Sequence, residues 1–306
     1  MKKTIWPLLP IFFLIICTTN GFTQPFNEIV IFGDSLSDNG NLILIKDQPM
    51  PDPELYYQGR FSNGLVWVEY LSDPERLNAS LNNRAFGGAK TDGVTPPGLI
   101  AQVIEYMTVT DFSLSSDTLF IIWIGGNDCL YGDRNYQTSV ANIKEAMQRL
   151  ARGGAMSIIV LNLPDLGTIP KELGTSGADE ATDFSVNFNA ELANMLDDFS
   201  VQYPGISLYE FDVYSFFIKV LKAPATFGFT NVTDPSPNFE VPNNFNGAGY
   251  AFWDDIHPTT SMHTLIADQV FESLDPQLPV NGEEDSEGGA AAKSSCFIRS
   301  IGWKLF

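Results

Sequence analysis

A serine in a glycine-flanked turn is the first residue of this sequence whose setting suits catalysis. Ser35 follows Gly33 and Asp34, just after an apolar run over residues 28–31 that is typical of a β-strand. A serine hydroxyl becomes an effective nucleophile when a histidine removes its proton. The chain of 306 residues contains only two histidines, and one of them is His257. The sequence therefore indicates a serine nucleophile with a histidine base.

An aspartate lies three residues before this histidine. At that spacing on a turn, the carboxylate of Asp254 can accept a hydrogen bond from one ring nitrogen of His257 while the other nitrogen faces the serine. Such a bond fixes the tautomer of the ring and stabilises the imidazolium that forms in the transition state. Asp34, beside the serine, suggests a two-carboxylate glycosidase instead. No motif singles out its partner among the 37 acidic residues, so this scheme is set aside.

The elements that must position these residues alternate between strands and helices. Apolar, β-rich runs predict strands at residues 29–32, 119–124, 157–161 and 206–211, with a weaker run leading to residue 85. Helical periodicity predicts helices over residues 138–150 and 184–199. This alternation predicts an α/β fold, a three-layer αβα sandwich around a central, mostly parallel five-stranded sheet. Ligands of such sheets bind beyond the carboxyl ends of the strands, where Ser35 and Asn127 fall.

Further short motifs follow the serine along the chain. They are Gly59–Gly64 with Trp67, Ala85–Ala89, Gly125–Asp128, Phe252–Asp254, and His257–Thr260 with His263. Together with the segment around Ser35, they resemble the motifs of the GDSL family of lipases and esterases, also called SGNH hydrolases. The resemblance runs from about residue 28 to 272 and implies the flavodoxin-like fold of these hydrolases. Each motif is weak alone, but their occurrence in the family's order is a strong signal.

The resemblance also implies a role for each catalytic residue. Ser35 is then the nucleophile, His257 the base, and Asp254, rather than Asp255, the acid that orients the base. Asp255 is a candidate cap for the helix that follows. His263 is expected to pack or to form hydrogen bonds within that helix, and neither of these two residues is predicted to be catalytic.

The family stabilises the oxyanion of the reaction with three hydrogen-bond donors. Besides the N–H of Ser35, these are the N–H of a glycine and the side-chain amide of an asparagine. Asn127 matches the asparagine and Gly88 the glycine, with Gly87 as a close alternative. Preorganised donors of this kind are usually the largest catalytic term in ester hydrolysis. The resemblance implies no cofactor, and the histidines and cysteines show no metal-ligand spacing.

The balance of charge excludes one class of partner. The chain has 17 basic and 37 acidic residues and a formal net charge of −20, whereas nucleic-acid binding needs a basic surface. The same acidity opposes adsorption to anionic lipid and favours solubility. The expected partner is a lipid or other ester substrate, with at most a transient membrane-surface contact, and the protein is expected to be a monomer.

Three segments are expected along the chain. Residues 1–24 carry Lys2 and Lys3, then an apolar stretch and then small and polar residues, which is the layout of a signal peptide. The protein is therefore expected to be secreted or periplasmic. Residues 25–281 are predicted to form one hydrolase domain. Residues 282–306 are predicted to form a flexible linker and a short apolar tail.

Two features have alternative interpretations. Cys129 and Cys296, the cysteines that remain after loss of the signal peptide, either form a disulfide or stay as two free thiols. The segment Ala223–Tyr250 is rich in Pro, Asn, Gly and Phe without periodicity, so it is predicted to be a long loop. This loop, with the aromatic residues up to Phe252, either forms a lid or apolar wall of the site or has no role in binding.

The resemblance narrows the function to three hypotheses. The segments Phe32–Asn41 and Phe252–Asp254 most resemble those of bacterial lysophospholipases A, phospholipases A and glycerophospholipid:cholesterol acyltransferases. The first hypothesis is thus a secreted serine esterase that cleaves lipid esters through an acyl-enzyme on Ser35. An esterase of short acyl groups or acetylated carbohydrates is the alternative, because the same site serves many esters. A non-catalytic lipid-binding module is the second alternative, because a fold does not fix a function.

Overall fold

A computed structural model describes residues 26–45, 51–132 and 134–274. The predicted signal peptide at residues 1–24, the predicted linker and tail at 282–306, and Cys296 lie outside the described residues. Among the described residues, no helix is both long and apolar enough to cross a membrane.

The centre of the fold is the predicted five-stranded sheet. Its strands are β1 (Glu28–Gly33), β2 (Ser80–Asn83), β3 (Thr118–Trp123), β4 (Ser157–Leu161) and β5 (Ser207–Phe211). They lie side by side in the order β2-β1-β3-β4-β5, and all four pairings are parallel. The prediction of a mostly parallel sheet is confirmed. Because β1 and β3 are neighbours, the residues that follow them meet at the same edge of the sheet.

Helices cover both faces of the sheet. They are α1 (Trp67–Ser72), α2 (Leu99–Val109), α3 (Gly126–Tyr131), α4 (Tyr136–Gly153), α5 (Ala178–Gln202), α6 (Val213–Lys222) and α7 (Thr260–Leu274). Side chains of a strand alternate between faces, so Ile29 and Ile31 pack into the core beneath α1, α6 and α7. Val30 and Phe32 pack into the opposite core beneath α2, α4 and α5. The result is the predicted three-layer αβα arrangement.

The two helices expected from periodicity are longer than their apolar pattern. The prediction over 138–150 corresponds to α4, which begins after Asn135, whose side chain accepts a hydrogen bond from the N–H of Thr138 at 3.0 Å. It ends before Gly154, which has the left-handed φ of 100° that glycine tolerates. The prediction over 184–199 lies inside α5.

The segment predicted as a long loop contains short regular elements. A 3₁₀ turn spans Pro224–Phe227, and the strand β6 (Asn231–Pro235) pairs with β7 (Tyr250–Phe252) in a small second sheet. The prediction of a loop is wrong for these residues, because the two strands satisfy each other's backbone groups. Residues 236–249 between them are irregular, as expected.

Candidate active site

Ser35 lies in a tight turn at the carboxyl end of β1. The carbonyl of Asp34 accepts a hydrogen bond from the N–H of Ser37 at 3.0 Å, and its carboxylate accepts one from the N–H of Leu36 at 3.0 Å. Gly33 allows this turn to approach β3, because a Cβ at this position would lie 2.7 Å from the carbonyl oxygen of Trp123. The turn places the Ser35 side chain at the edge of the sheet with 7% of its surface exposed.

The histidine and aspartate reach this serine from a loop near the other end of the sequence. His257 Nε2 lies 2.9 Å from Ser35 Oγ, across a separation of 222 residues, and its Nδ1 lies 2.6 Å from Asp254 Oδ2. The second carboxylate oxygen, Oδ1, accepts the backbone N–H groups of Ile256 and His257 at 2.8 and 2.6 Å. The carboxylate is thus held by its own turn while it contacts the ring. The structure brings together the three side chains predicted as the triad.

The electrostatics suit a histidine base. Burial alone would lower the pKa of His257, but the adjacent Asp254 carboxylate, together with the charges of Asp34 and Asp255, outweighs burial and holds this pKa above its ordinary value. Burial likewise favours protonation of Asp254, yet its contacts with His257 hold its pKa below the ordinary value. Asp254 therefore stays ionised when the histidine takes up a proton.

A second buried carboxylate lies beside the serine. Burial raises the pKa of Asp34 to about 7, against the hydrogen bond from the N–H of Leu36 and the charge of His257. Its side chain lines the same cleft as Ser35. The two-carboxylate scheme gains no support, because the carboxylate that contacts the histidine is that of Asp254.

Two of the three predicted oxyanion donors, Asn127 and Gly88, come from neighbouring segments. Asn127 lies at the start of α3, lines the cleft with Ser35, and donates one amide hydrogen to the carbonyl of Ala89 at 2.9 Å. An amide group has two hydrogens, so a second remains for a ligand. Gly88 directly precedes Ala89 and has a φ of 75°, in the left-handed region. The N–H of Gly87 is bonded to Asp38 at 2.7 Å, which favours Gly88 over Gly87 as the donor.

Asp38 joins the serine turn to the segment that carries Gly88, a role that the sequence did not indicate. Its buried carboxylate accepts the N–H groups of Gly40, Asn41 and Leu42 within its own loop. It also accepts the N–H of Gly87 from the oxyanion segment. The segment Asp38-Asn39-Gly40 could have indicated this role, because an aspartate at the start of a turn commonly accepts the backbone N–H groups of the residues that follow it.

Gln102 of α2 and Tyr56 are two further contacts that the sequence did not indicate. The side-chain amide of Gln102 pairs with both the N–H and the carbonyl of Gly33, at 2.9 and 2.8 Å. The hydroxyl of Tyr56 donates to Asp254 Oδ2 at 2.6 Å. Both contacts join residues far apart in the sequence, so no local pattern marks them.

Ser62 of the motif Gly59–Gly64 and the nearby Trp67 support the site through two hydrogen bonds. Trp67 Nε1 donates to the hydroxyl of Ser37, and Ser62 Oγ donates to the carbonyl of Pro258. These bonds tie the serine turn and the histidine loop to the same part of the molecule.

The structure also shows the surroundings of His263, Asp255 and Cys129, three further residues that the sequence singled out. His263 is fully buried in α7, where burial lowers the pKa of its ring to about 3, and its ring nitrogens lack hydrogen-bond partners among the described residues. No described hydrogen bond makes Asp255 the cap of α7: the N–H of Thr260 donates to Asn63, and that of Met262 donates to the hydroxyl of Thr259. The carboxylate of Asp255 lies 4.0 Å from Lys171 Nζ instead. Cys129 is buried and forms no disulfide with another described residue, and burial raises the pKa of its thiol to about 11. Whether it pairs with Cys296, which lies outside the described residues, stays a prediction.

An apolar cleft opens directly at Ser35. The Ala223–Phe252 region, a candidate wall, contributes only Phe252 to it. The other apolar walls come from α3, from the chain after β4, from α6 and from the histidine loop. The main apolar lining residues are Leu36, Leu130, Leu166, Ile169, Phe217 and Ile256. This lining favours an apolar group of the substrate next to the bond that reacts.

Comparisons with known sequences and structures identify related proteins. A family model described as "GDSL-like Lipase/Acylhydrolase" matches residues 29–270. The thermolabile hemolysin of Vibrio parahaemolyticus is 29% identical over 269 residues, which cover 81% of this chain and 63% of the hemolysin. This chain thus matches less than two thirds of the hemolysin. The phosphatidylcholine-sterol acyltransferase of Aeromonas hydrophila is 27% identical over 310 residues, which cover 82% of this chain and 91% of that protein. Among solved structures, the aryl esterase of M. smegmatis has a TM-score of 0.48 at 15% identity, over 82% of this chain and 100% of the esterase.

Proposed function

The chain belongs to the GDSL-like lipase/acylhydrolase family and is a carboxylic ester hydrolase by class, and we propose that it cleaves lipid esters through an acyl-enzyme on Ser35. Within this proposal His257 is the base, Asp254 orients it, and Ser35, Gly88 and Asn127 supply the oxyanion donors. The activity is of the lysophospholipase or phospholipase A type, with acyl transfer to an alcohol as a variant of the same reaction.

The apolar cleft is the observation that carries the proposal for lipid esters. It begins at Ser35 and Asn127 and continues along side chains such as Leu130 and Phe217. An acyl chain gains free energy from burial in such a cleft, at about 0.8 kcal/mol for each methylene group. An acetyl group has a single methyl and would leave most of this lining without a partner. A lipid substrate is further supported by the similarity to a phosphatidylcholine-sterol acyltransferase.

The proposed reaction has two half-reactions. Ser35 Oγ attacks the ester carbonyl carbon while His257 Nε2 takes its proton, so negative charge develops on the carbonyl oxygen. Collapse of this intermediate breaks the bond between carbon and the alcohol oxygen, and the alcohol leaves with the proton from His257. Water then attacks the acyl carbon, gives its proton to His257, and the fatty acid leaves as Ser35 regains a proton. An alcohol in place of water yields a new ester.

A comparison of substrates tests the proposal. The protein should release fatty acid from long-chain lysophosphatidylcholine at least tenfold more efficiently, by kcat/KM, than it releases acetate from acetylxylan, because only the acyl chain fills the cleft. Ser35→Ala serves as the blank. The reverse preference would establish the carbohydrate acetylesterase alternative. Absence of any ester hydrolysis, together with absence of labelling by a fluorophosphonate, would leave the lipid-binding module.

The cleft can be narrowed at a lining residue that is neither a member of the proposed triad nor a proposed oxyanion donor. Leu130→Trp should lower kcat/KM for a long-chain nitrophenyl ester at least tenfold and leave that for nitrophenyl acetate within about twofold, because the larger ring occupies the space for the chain. Tyr131→Trp is the matched control, since Tyr131 follows on the same helix, is 55% exposed and does not line the cleft. Equal losses on both esters would place the acyl chain elsewhere.

The pH dependence should report His257. The base must be neutral to accept a proton, so kcat/KM should rise with pH and reach half its maximum above pH 6.5, because the pKa of His257 lies above that ordinary value. Asp34→Asn distinguishes the titration of His257 from that of Asp34. The substitution removes a charge that raises the pKa of His257, so the acidic limb of the pH profile of kcat/KM should move slightly to lower pH. An acidic limb that disappears in Asp34→Asn would assign it to Asp34.

We also propose export of the protein. The support is the signal-peptide layout of residues 1–24, which lie outside the described residues. Amino-terminal sequencing of protein from the external or periplasmic fraction checks this proposal, which predicts a chain that begins near residue 25.

A further inference from the structure

Asp254 Oδ2 accepts two hydrogen bonds, and only one comes from the histidine. His257 Nδ1 and the hydroxyl of Tyr56 each lie 2.6 Å from this oxygen. The carboxyl residue is 3% exposed, so these protein donors stand where water would otherwise solvate the anion. A hydrogen bond to a buried charge contributes more than one between neutral groups. We propose that Tyr56 is a positioning residue that holds the Asp254 carboxylate and moderates its effect on His257; this rests on the proposed function.

The ring of Tyr56 is fixed by aromatic contacts on two sides. Phe61 and Phe239 meet it edge-on, with centroid distances of 5.7 and 5.3 Å. Phe239 also packs edge-on against Trp253, the residue before Asp254, at 5.8 Å. Trp253 Nε1 in turn donates to the carbonyl of Leu55 at 2.9 Å. The tyrosine and the aspartate are therefore anchored to each other through backbone and side chains, and the hydroxyl meets the carboxylate in a fixed direction.

The hydroxyl can only act as a donor to this anion. Burial and the Asp254 charge both raise the pKa of Tyr56, so it remains protonated wherever the protein is folded. By donating, it draws negative charge from Oδ2 and reduces the attraction between Asp254 and the imidazolium of His257. It also fixes the plane of the carboxylate. Loss of the hydroxyl should then have two effects with different signatures: a poorer orientation of the ring and a more basic histidine.

Several other charged or titratable groups act on the same pair. Asp34 from the serine turn and Asp255 from the histidine loop both raise the pKa of His257, and His263 of α7 faces it from the core. Tyr131 of α3 acts on Tyr56. All of these groups are unchanged in a Tyr56 variant, so a shift between variant and wild type reports the hydroxyl.

Tyr56→Phe tests the inference. The ring and its contacts remain, so the protein should fold, and kcat for a soluble ester should fall about three- to tenfold at the pH optimum. The acidic limb of the profile of kcat/KM should move to higher pH. Tyr57→Phe is the matched control: this neighbour is also half-buried, packs against Phe245 at 5.8 Å, and forms no bond to Asp254 within the described residues. It should leave kcat and the pH profile as in the wild type.

A second variant tests whether the position of the Tyr56 ring matters when the hydroxyl is retained. Phe239→Leu loosens the ring of Tyr56 without removing the hydroxyl, and it should shift the acidic limb in the same direction by a smaller amount. If Tyr56→Phe and Phe239→Leu both match the profile and kcat of Tyr57→Phe, the inference is overturned and Tyr56 serves packing alone. Fluorophosphonate labelling keeps this result separate from the proposed function, because wild type and Tyr56→Phe should both be labelled and Ser35→Ala should not.

Discussion

Ser35→Ala and His257→Ala are each expected to lower kcat/KM for ester hydrolysis by several orders of magnitude while the protein stays folded. The two side chains are 2.9 Å apart and act on the same proton, so removal of either one stops the transfer. The double variant should be little worse than either single variant, because residues that act as a unit do not contribute additively. Steady-state kinetics on one soluble ester, with thermal melting as the check on folding, measure these effects.

A control removes a hydroxyl at the same turn without loss of the proposed nucleophile. Ser37 lies two residues away, is fully buried, and accepts a hydrogen bond from Trp67 through its hydroxyl. Ser37→Ala should cost stability, at about 1 kcal/mol for one hydrogen bond, and leave most of the activity. Activity of more than a few per cent in Ser35→Ala would contradict the assignment of the nucleophile.

The strands and the family could be predicted from the sequence because their signals are local. The four strands that were expected from clear apolar runs lie within about a residue of their predicted places, and for β4 residues 157–161 match in full. The strand expected from the weaker run, β2, ends two residues before residue 85. The motifs at Ser35 and His257 are also local, because Ser35 lies in a short turn after β1 and His257 lies three residues after Asp254. Where the chain is regular and buried, neighbouring residues share one environment and the pattern in the sequence reflects it.

The contacts between motifs could not be predicted in this way. Tyr56 meets Asp254 across 198 residues, and Gln102 meets Gly33 across 69. Neither tyrosine nor glutamine carries a local signal for such a bond. The wall of the cleft is a similar case, because Phe217 lies on the apolar face of α6, where the sequence alone indicates core packing. Which of these side chains reach the site depends on how the layers pack.

Asn127→Ala should lower kcat by about a hundredfold or more with little change in KM. The free hydrogen of its amide would meet charge that exists only in the transition state, and loss of one such donor costs roughly 3 kcal/mol. The same amide also holds Ala89, next to Gly88, so displacement of the loop is an alternative cause. Asn142→Ala separates the two, because Asn142 donates to Thr91 of the same loop at 3.1 Å but does not line the cleft. It should leave kcat within about threefold of the wild type. An Asn127 variant weakened in KM alone would show that the amide positions the substrate and does not stabilise the oxyanion.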